Sequence, residues 1–301
     1  MNEKTKNLLV RTATGVVFVA VMIEGMLRGR LPFAILLLAI TAGCMWELYG
    51  LAEKAGVAPH KALGMLIGLL VVGANLGLVE AVVNSVGFVK YVGISVVLVI
   101  LLGALVPVLD LWRKRGSAMS NVGATFLGVA YIALPVSLIA LLPLVGGKML
   151  LTWNPLVVLA YILVVWANDV FAYLAGITIG RHKLCERLSP KKTWEGFFGG
   201  LVGAVGVAAL IGGFAFKFRV GGGVWLWAGL GVLIAVSSVL GDLVESHFKR
   251  SVGAKDSGRL LPGHGGLLDR FDAVLVSASF VFIFFVIVAL VDSATIIQNF
   301  F

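Results

Sequence analysis

Apolar residues along this chain run in blocks too long and too unbroken for the half-buried helices of a soluble domain. Nine stretches approach the roughly 20 apolar residues that a helix needs to cross a bilayer. They are residues 10–26, 31–51, 62–78, 91–109, 122–142, 155–174, 197–214, 224–244 and 273–291. Polar segments between them are short, and two, 181–196 and 246–272, mix cations, acids and small residues unlike the rest. The pattern predicts an all-α polytopic membrane protein with about nine transmembrane helices. It forms one membrane domain over residues 1–301, with a catalytic half at approximately 155–291. No long linker, low-complexity tract or internal repeat interrupts it.

Charge gives this pattern a direction. With nine spans, eighteen of the 24 lysines and arginines fall on the side of the N-terminus and of the loops after spans two, four, six and eight. The other side holds Arg28, Arg30, Lys90, Lys148, Lys217 and Arg219. Cytoplasmic loops carry the excess of basic residues, so the N-terminus is expected inside and the C-terminus outside. Composition agrees: 60% of the 301 residues are hydrophobic, 13% are charged, and the mean hydropathy is +1.05. A soluble domain carries about 25% charged residues. The net charge of +9 therefore suits lipid headgroups or anionic substrates, not nucleic acid. The basic start runs into apolar sequence without a cleavage site and reads as a retained first span. Cys44 lies in an apolar run and Cys185 in a basic loop, so a disulfide framework is not expected.

Gly196, Gly199, Gly200 and Gly203 give two overlapping G-x-x-x-G spacings at the start of span seven. Such spacing lets two helix backbones approach closely, and packing within the chain is preferred here over a dimer contact.

The candidate chemistry lies in the two unusual loops. A positive-inside anchor needs only lysine and arginine, and does not explain a Pro-Gly-His-Gly-Gly turn at 262–266 with aspartates beside the cations. Gly263, Gly265 and Gly266 permit positive φ, so successive N–H groups can converge on a phosphate. The turn leads into span nine, whose N-terminus favours anions. Lys249, Arg250 and Lys255 suit phosphoryl oxygens, and His264, between glycines, suits a phosphate donor. Asp269 and Asp272 share a helix face at i, i+3, as do Asp242 and Glu245 near the end of span eight. Such carboxylates suit Mg²⁺, with pairing to Arg250, Arg259 and Arg270 as the alternative. Asp169 is an ionisable residue inside span six, with Tyr173 one turn later, and a substrate-pocket or metal-proximal role is expected for it. Glu47 reads as interfacial at the cytoplasmic end of span two, and Glu24 as paired or snorkelling at the outer end of span one. Four histidines and no H-E-x-x-H spacing argue against zinc.

Residues 246–272 match the pattern S-x-x-K-R-x-x-x-x-K-D-x-G-x-x-x-P-x-H-G-G-x-x-D-R-x-D without departure. With Asn168-Asp169 through Gly176, and with Ser189-Pro190-Lys191-Lys192-Thr193-Trp194-Glu195-Gly196, this resembles the phosphatidate cytidylyltransferase (CDP-diacylglycerol synthase) family. Glu47-Leu48-Tyr49 is also similar to it. The resemblance implies the reaction CTP + phosphatidate → CDP-diacylglycerol + pyrophosphate in phospholipid synthesis. It implies Mg²⁺ on Asp242 and Asp269, with Asp272 a further metal candidate and a second monovalent cation such as K⁺ beside them. The catalytic candidates are Lys249, Arg250, Lys255, Asp256 and His264. Those for substrate binding are Asp169, Ser189, Lys191, Lys192, Thr193, Gly265, Gly266 and Arg270. The expected partners are CTP, phosphatidate, membrane lipids and a second copy of the chain in a homodimer. The expected location is a bacterial inner membrane with the active site facing the cytoplasm. The alternatives are a CTP-dependent lipid-alcohol kinase, which releases CDP instead of pyrophosphate, and an anionic-solute transporter, which would place its polar groups near the bilayer midplane.

Overall fold

In hydrocarbon every backbone N–H and C=O must be satisfied within the chain, so long apolar runs become helices. The computed structural model describes residues 3–84, 88–145, 153–214, 223–261, 263 and 265–298. In chain order the helices are α1 (Glu3–Leu27), α2 (Arg30–Lys54), α3 (Lys61–Asn84), α4 (Phe88–Asp110), α5 (Ala118–Gly128) and α6 (Leu134–Val145). They continue as α7 (Leu156–Ile179), α8 (Trp194–Phe214), α9 (Val224–Ser251) and α10 (Leu268–Gln298). The protein is thus an all-α polytopic membrane protein. Among the described residues, eight helical segments are long and apolar enough to cross a membrane. They fall on the second to ninth runs of the sequence pattern. The first run meets an apolar stretch of α1, Thr12–Leu27.

Two local features depart from a plain succession of helices. The fifth span, Ala118–Leu144, is α5 and α6 joined by one wide turn, Val129–Ala133. Pro135 follows this turn and has no N–H to give the carbonyl four residues back, a defect that a wide turn absorbs. Between α7 and α8 stand two short antiparallel strands, β1 (Lys183–Cys185) and β2 (Ser189–Thr193), with Lys183 opposite Thr193 and Cys185 opposite Ser189. This polar loop pairs its own backbone, as a segment between spans can do without helical periodicity.

The helices gather into two units, Met1–Ala140 with Val244–Asp272, and Leu141–Leu243 with Ala273–Phe301. The first is built around α2, where Phe33, Cys44, Met45 and Tyr49 are buried. A Cβ at Gly64 or Gly128 would collide with the Tyr49 ring, so both glycines are needed to seat it. The Tyr49 hydroxyl donates to the Thr125 carbonyl at 2.8 Å. The loops after α2 and α4 are tied by buried polar groups: His60 Nε2 lies 3.0 Å from Asp110 Oδ1, and Asn121 donates to the Asp110 carboxylate and the Arg115 carbonyl.

In the second unit α7 and α8 run antiparallel. Gly196, Gly199, Gly200 and Gly203 lie against Ala172, Ala175, Asn168 and Phe171 in that order. The glycine spacing therefore serves packing within the chain. Tyr161 of α7 donates to the Val274 carbonyl at 2.7 Å, and Trp227 of α9 meets Phe285 of α10 edge to face.

Candidate active site

The first unit carries the polar loop between α9 and α10. α9 stops because Gly253 adopts φ 65°, the left-handed geometry of a helix C-terminus. The Gly253 N–H donates to the Arg250 carbonyl at 3.1 Å and the Ala254 N–H to the Lys249 carbonyl at 2.9 Å, which satisfies the last turn. Of the three glycines read as permitting positive φ, Gly263 and Gly265 adopt it, at 76° and 84°, and Gly266 does not. The Leu261 N–H closes the turn onto the Gly265 carbonyl at 3.1 Å.

This loop converges on Asp269, in the first turn of α10. Its carboxylate accepts the Gly266 N–H at 2.8 Å and the Ser257 N–H at 3.0 Å. Lys249 Nζ lies 2.7 Å from Asp269 Oδ1 and also pairs with Glu245, one turn earlier on α9. Glu245 is fully buried, and among the described residues no hydrogen-bond donor reaches its Oε1. One ammonium thus pairs with a buried acid and a half-buried one. Asp256 lies beside Gly265, where a Cβ would meet Asp256 Cβ at 3.6 Å and Asp269 Oδ2 at 2.9 Å. Lys255, Asp256 and Arg270 are exposed, and the Arg250 guanidinium turns back to the Ala254 carbonyl at 2.9 Å. Asp272 lies one turn beyond Asp269 and is half-buried. His264 lies outside the described residues.

Behind the loop stands Glu47, which is buried at 4% exposure, a cover that the sequence pattern does not show. Its Oε2 accepts the Leu268 N–H at 2.8 Å and the Ser257 hydroxyl at 3.0 Å. A charge in an apolar helix end suggests the interface, and nothing local shows that a loop some 210 residues later covers it. Ser257 is missed for the same reason.

The second unit holds the other polar loop. Thr193 caps α8, its hydroxyl accepting the Gly196 N–H at 3.1 Å. Glu195 accepts the N–H groups of Arg181 and His182 at 3.1 and 3.2 Å, and its Oε1 lies 2.6 Å from His182 Nδ1. These bonds pin the strand pair to the start of α8. Its residues Lys191, Lys192 and Thr193 line a cavity of about 380 Å³ together with Asp169, Tyr173 and Asp242. Asp169 and Tyr173 share its wall as their spacing predicts, and Asn168 Nδ2 donates to Asp169 Oδ1 at 3.4 Å. Lys192 Nζ pairs with Asp242 at 2.5 Å. Ser189 begins β2 opposite Cys185 and is not among the lining residues. Ser238, unremarked in the sequence, is 1% exposed, lines the cavity and has no hydrogen-bond partner for its hydroxyl among the described residues. The cavity is mostly apolar, with its cations supplied by the strand pair and its acids by α7 and α9.

The two acids read as Mg²⁺ candidates each meet a lysine, Asp269 with Lys249 and Asp242 with Lys192, whereas the alternative reading is pairing to arginines. Among the described residues no group of three or more histidine, cysteine, aspartate or glutamate side chains is arranged to hold a metal ion. The donors present are nevertheless carboxylate oxygens, the ligands of a hard cation. Mg²⁺ needs only one or two of them beside substrate phosphates and water.

Residues 9–288 match the model of the cytidylyltransferase family. A phosphatidate cytidylyltransferase of Brucella abortus is 31% identical over 278 residues, covering 92% of this chain and 93% of that protein. The Mycobacterium bovis phosphatidate cytidylyltransferase is 44% identical over 165 residues, 54% of this chain and 50% of its own. That of Staphylococcus haemolyticus is 47% identical over 113 residues, 38% of this chain and 42% of its own. The match thus spans about half the length of the mycobacterial relative and nearly all of the Brucella one. This chain, with its Asp269-centred loop and its lysine-lined cavity, belongs to the cytidylyltransferase family.

Proposed function

We propose that the protein is a CTP:phosphatidate cytidylyltransferase, making CDP-diacylglycerol and pyrophosphate at the cytoplasmic face of a bacterial inner membrane. The observation that carries the reading is the Asp269 site: a carboxylate fixed by two backbone N–H groups and a lysine, at the N-terminus of α10. An oxygen of the phosphatidate monoester attacks the α-phosphorus of CTP in line. The bond from that phosphorus to the bridging oxygen breaks, and pyrophosphate carries the electron pair away. The monoester is already anionic near neutral pH, so positioning and charge neutralisation dominate and no strong general base is required.

The residues of each unit suit parts of this task. Lys249 is placed to move between Asp269 and a phosphoryl oxygen, and Lys255 is exposed for the same use. Gly265 and Gly266 bring backbone close to an anion without side-chain obstruction. In the other unit Lys191, Lys192 and Thr193 offer cationic and hydroxyl contacts at an apolar cavity, which fits a phosphate attached to a lipid or a nucleotide. Oxygen ligands for Mg²⁺ are available in each unit, at Asp269 with Asp272 nearby in sequence, and at Asp242. When bound, the ion neutralises phosphate charge and orients the triphosphate. A monovalent cation beside it, a homodimer and a nine-span topology with a cytoplasmic N-terminus complete the reading.

Purified protein given phosphatidate, Mg²⁺ and CTP labelled at the α-phosphorus should transfer the label to lipid and release one pyrophosphate per turnover. Release of CDP instead would identify a kinase, and the absence of CTP turnover would end the enzymatic reading.

A further inference from the structure

A buried carboxylate in a membrane helix is costly unless hydrogen bonds hold it, and a leucine would fill the same space without that cost. Glu47 therefore needs a reason. Its carboxylate touches both limbs of the α9–α10 loop: the Ser257 hydroxyl on the first and the Leu268 N–H on the second. Both limbs are cut away to admit it. A Cβ at Gly258 would collide with Glu47 Oε1, and one at Gly266 would collide with Ser257 Oγ and meet Glu47 Oε2 at 2.5 Å. One turn earlier on α2, Gly43 leaves room for Leu267, whose Cδ2 lies 2.5 Å from where a Cβ would stand. The residues so held are the ones that fix Asp269. The Ser257 hydroxyl donates to Glu47 while its N–H donates to Asp269 at 3.0 Å. Gly266 abuts Glu47 while its N–H donates to Asp269 at 2.8 Å.

We propose that Glu47 is a positioning residue for the cytidylyl transfer: it clasps the two limbs of the loop and so sets the backbone donors that orient Asp269. The N-terminal half of the chain thereby acts on the reaction through one side chain without touching substrate. The catalytic part of this inference rests on the cytidylyltransferase reading; the clasp itself does not.

Trypsin distinguishes the two, because Lys255 and Arg259 bracket Ser257 and Gly258 and are exposed. On the full-length protein in detergent, Glu47→Leu should be cut at these sites at least about tenfold faster than wild type. Its thermal midpoint should change little, and its kcat should fall about 100-fold with a smaller change in KM for CTP. Glu47→Gln keeps an oxygen that can accept both bonds, and should recover protection and kcat to within about tenfold of wild type. Ser257→Ala removes one donor and should raise cleavage less than Glu47→Leu. The double variant Glu47→Leu/Ser257→Ala should be little worse than Glu47→Leu alone, since both act on one contact. Unchanged cleavage in Glu47→Leu, Glu47→Gln no better than Glu47→Leu, or additive effects in the double variant would each overturn the proposal. Should Glu47→Leu fail to fold, unchanged protection in Ser257→Ala overturns it as well. A wild type that makes no CDP-diacylglycerol overturns the catalytic role, while the protease pattern still decides the clasp.

Discussion

Asp269 and Lys249 form one electrostatic unit but answer different questions when changed. Asp269→Asn keeps an oxygen for the Ser257 and Gly266 N–H groups, so the loop should hold its shape. The loss of charge at the reacting phosphates should lower product formation more than 100-fold, about 2.7 kcal/mol or more on the barrier. Normal turnover by this variant in the labelled-CTP assay would remove Asp269 from the mechanism. Lys249→Met makes the opposite demand. It leaves Glu245 and Asp269 without their common cation in a site where Lys249 is only 12% exposed. Breaking a buried pair from one side costs about 3–5 kcal/mol. A fall in thermal midpoint should therefore accompany its lost activity, whereas Asp269→Asn should melt close to wild type. Legibility at this scale follows chemistry that sits together in the chain. Lys249, Gly265, Gly266 and Asp269 stand within one polar loop and could be read from it. Glu47 is a polar residue in an apolar helix whose partners come from folding, and Ser238 becomes notable only through the cavity that it lines.

At the scale of elements, apolar run length marked α2 to α10 well, since backbone in hydrocarbon has few options. It missed the strand pair Lys183–Cys185 and Ser189–Thr193, because a short charged loop carries no usable period. It also missed the wide turn Val129–Ala133, which breaks no apolar pattern. The G-x-x-x-G spacing was informative in the way small residues usually are: it announces a close approach of helices, here α7 on α8. Gly203 is the sharpest test. A Cβ there would collide with the Phe171 ring, and no side chain larger than hydrogen fits without moving α7. Gly203→Val should destabilise the protein by about 1–3 kcal/mol, read as a lowered thermal midpoint in detergent. Gly206→Ala, one turn later on the same helix, meets nothing within 4 Å and should melt like wild type. Equal melting of the two variants would show that the glycine row does not seat α8.

For the whole molecule the decisive question is which side of the membrane carries the chemistry. The positive-inside count predicts that both polar loops face the cytoplasm, where CTP would be, and the two native cysteines can test it without any substitution. Cys185 ends β1 and is half-buried, so a maleimide can reach it; Cys44 is fully buried in α2. A membrane-impermeant maleimide should leave the folded protein unlabelled in right-side-out vesicles. It should label Cys185 in inverted vesicles, and both cysteines should react only after denaturation. Addition of CTP with Mg²⁺ should slow the labelling of Cys185, because the strand pair that holds it also presents Lys191, Lys192 and Thr193 to the cavity. Labelling of Cys185 from the outside would reverse the orientation of the loop after α7. A cytidylyltransferase could not then draw on cytoplasmic CTP through this cavity, so a single labelling pattern bears on the topology and the proposed activity together.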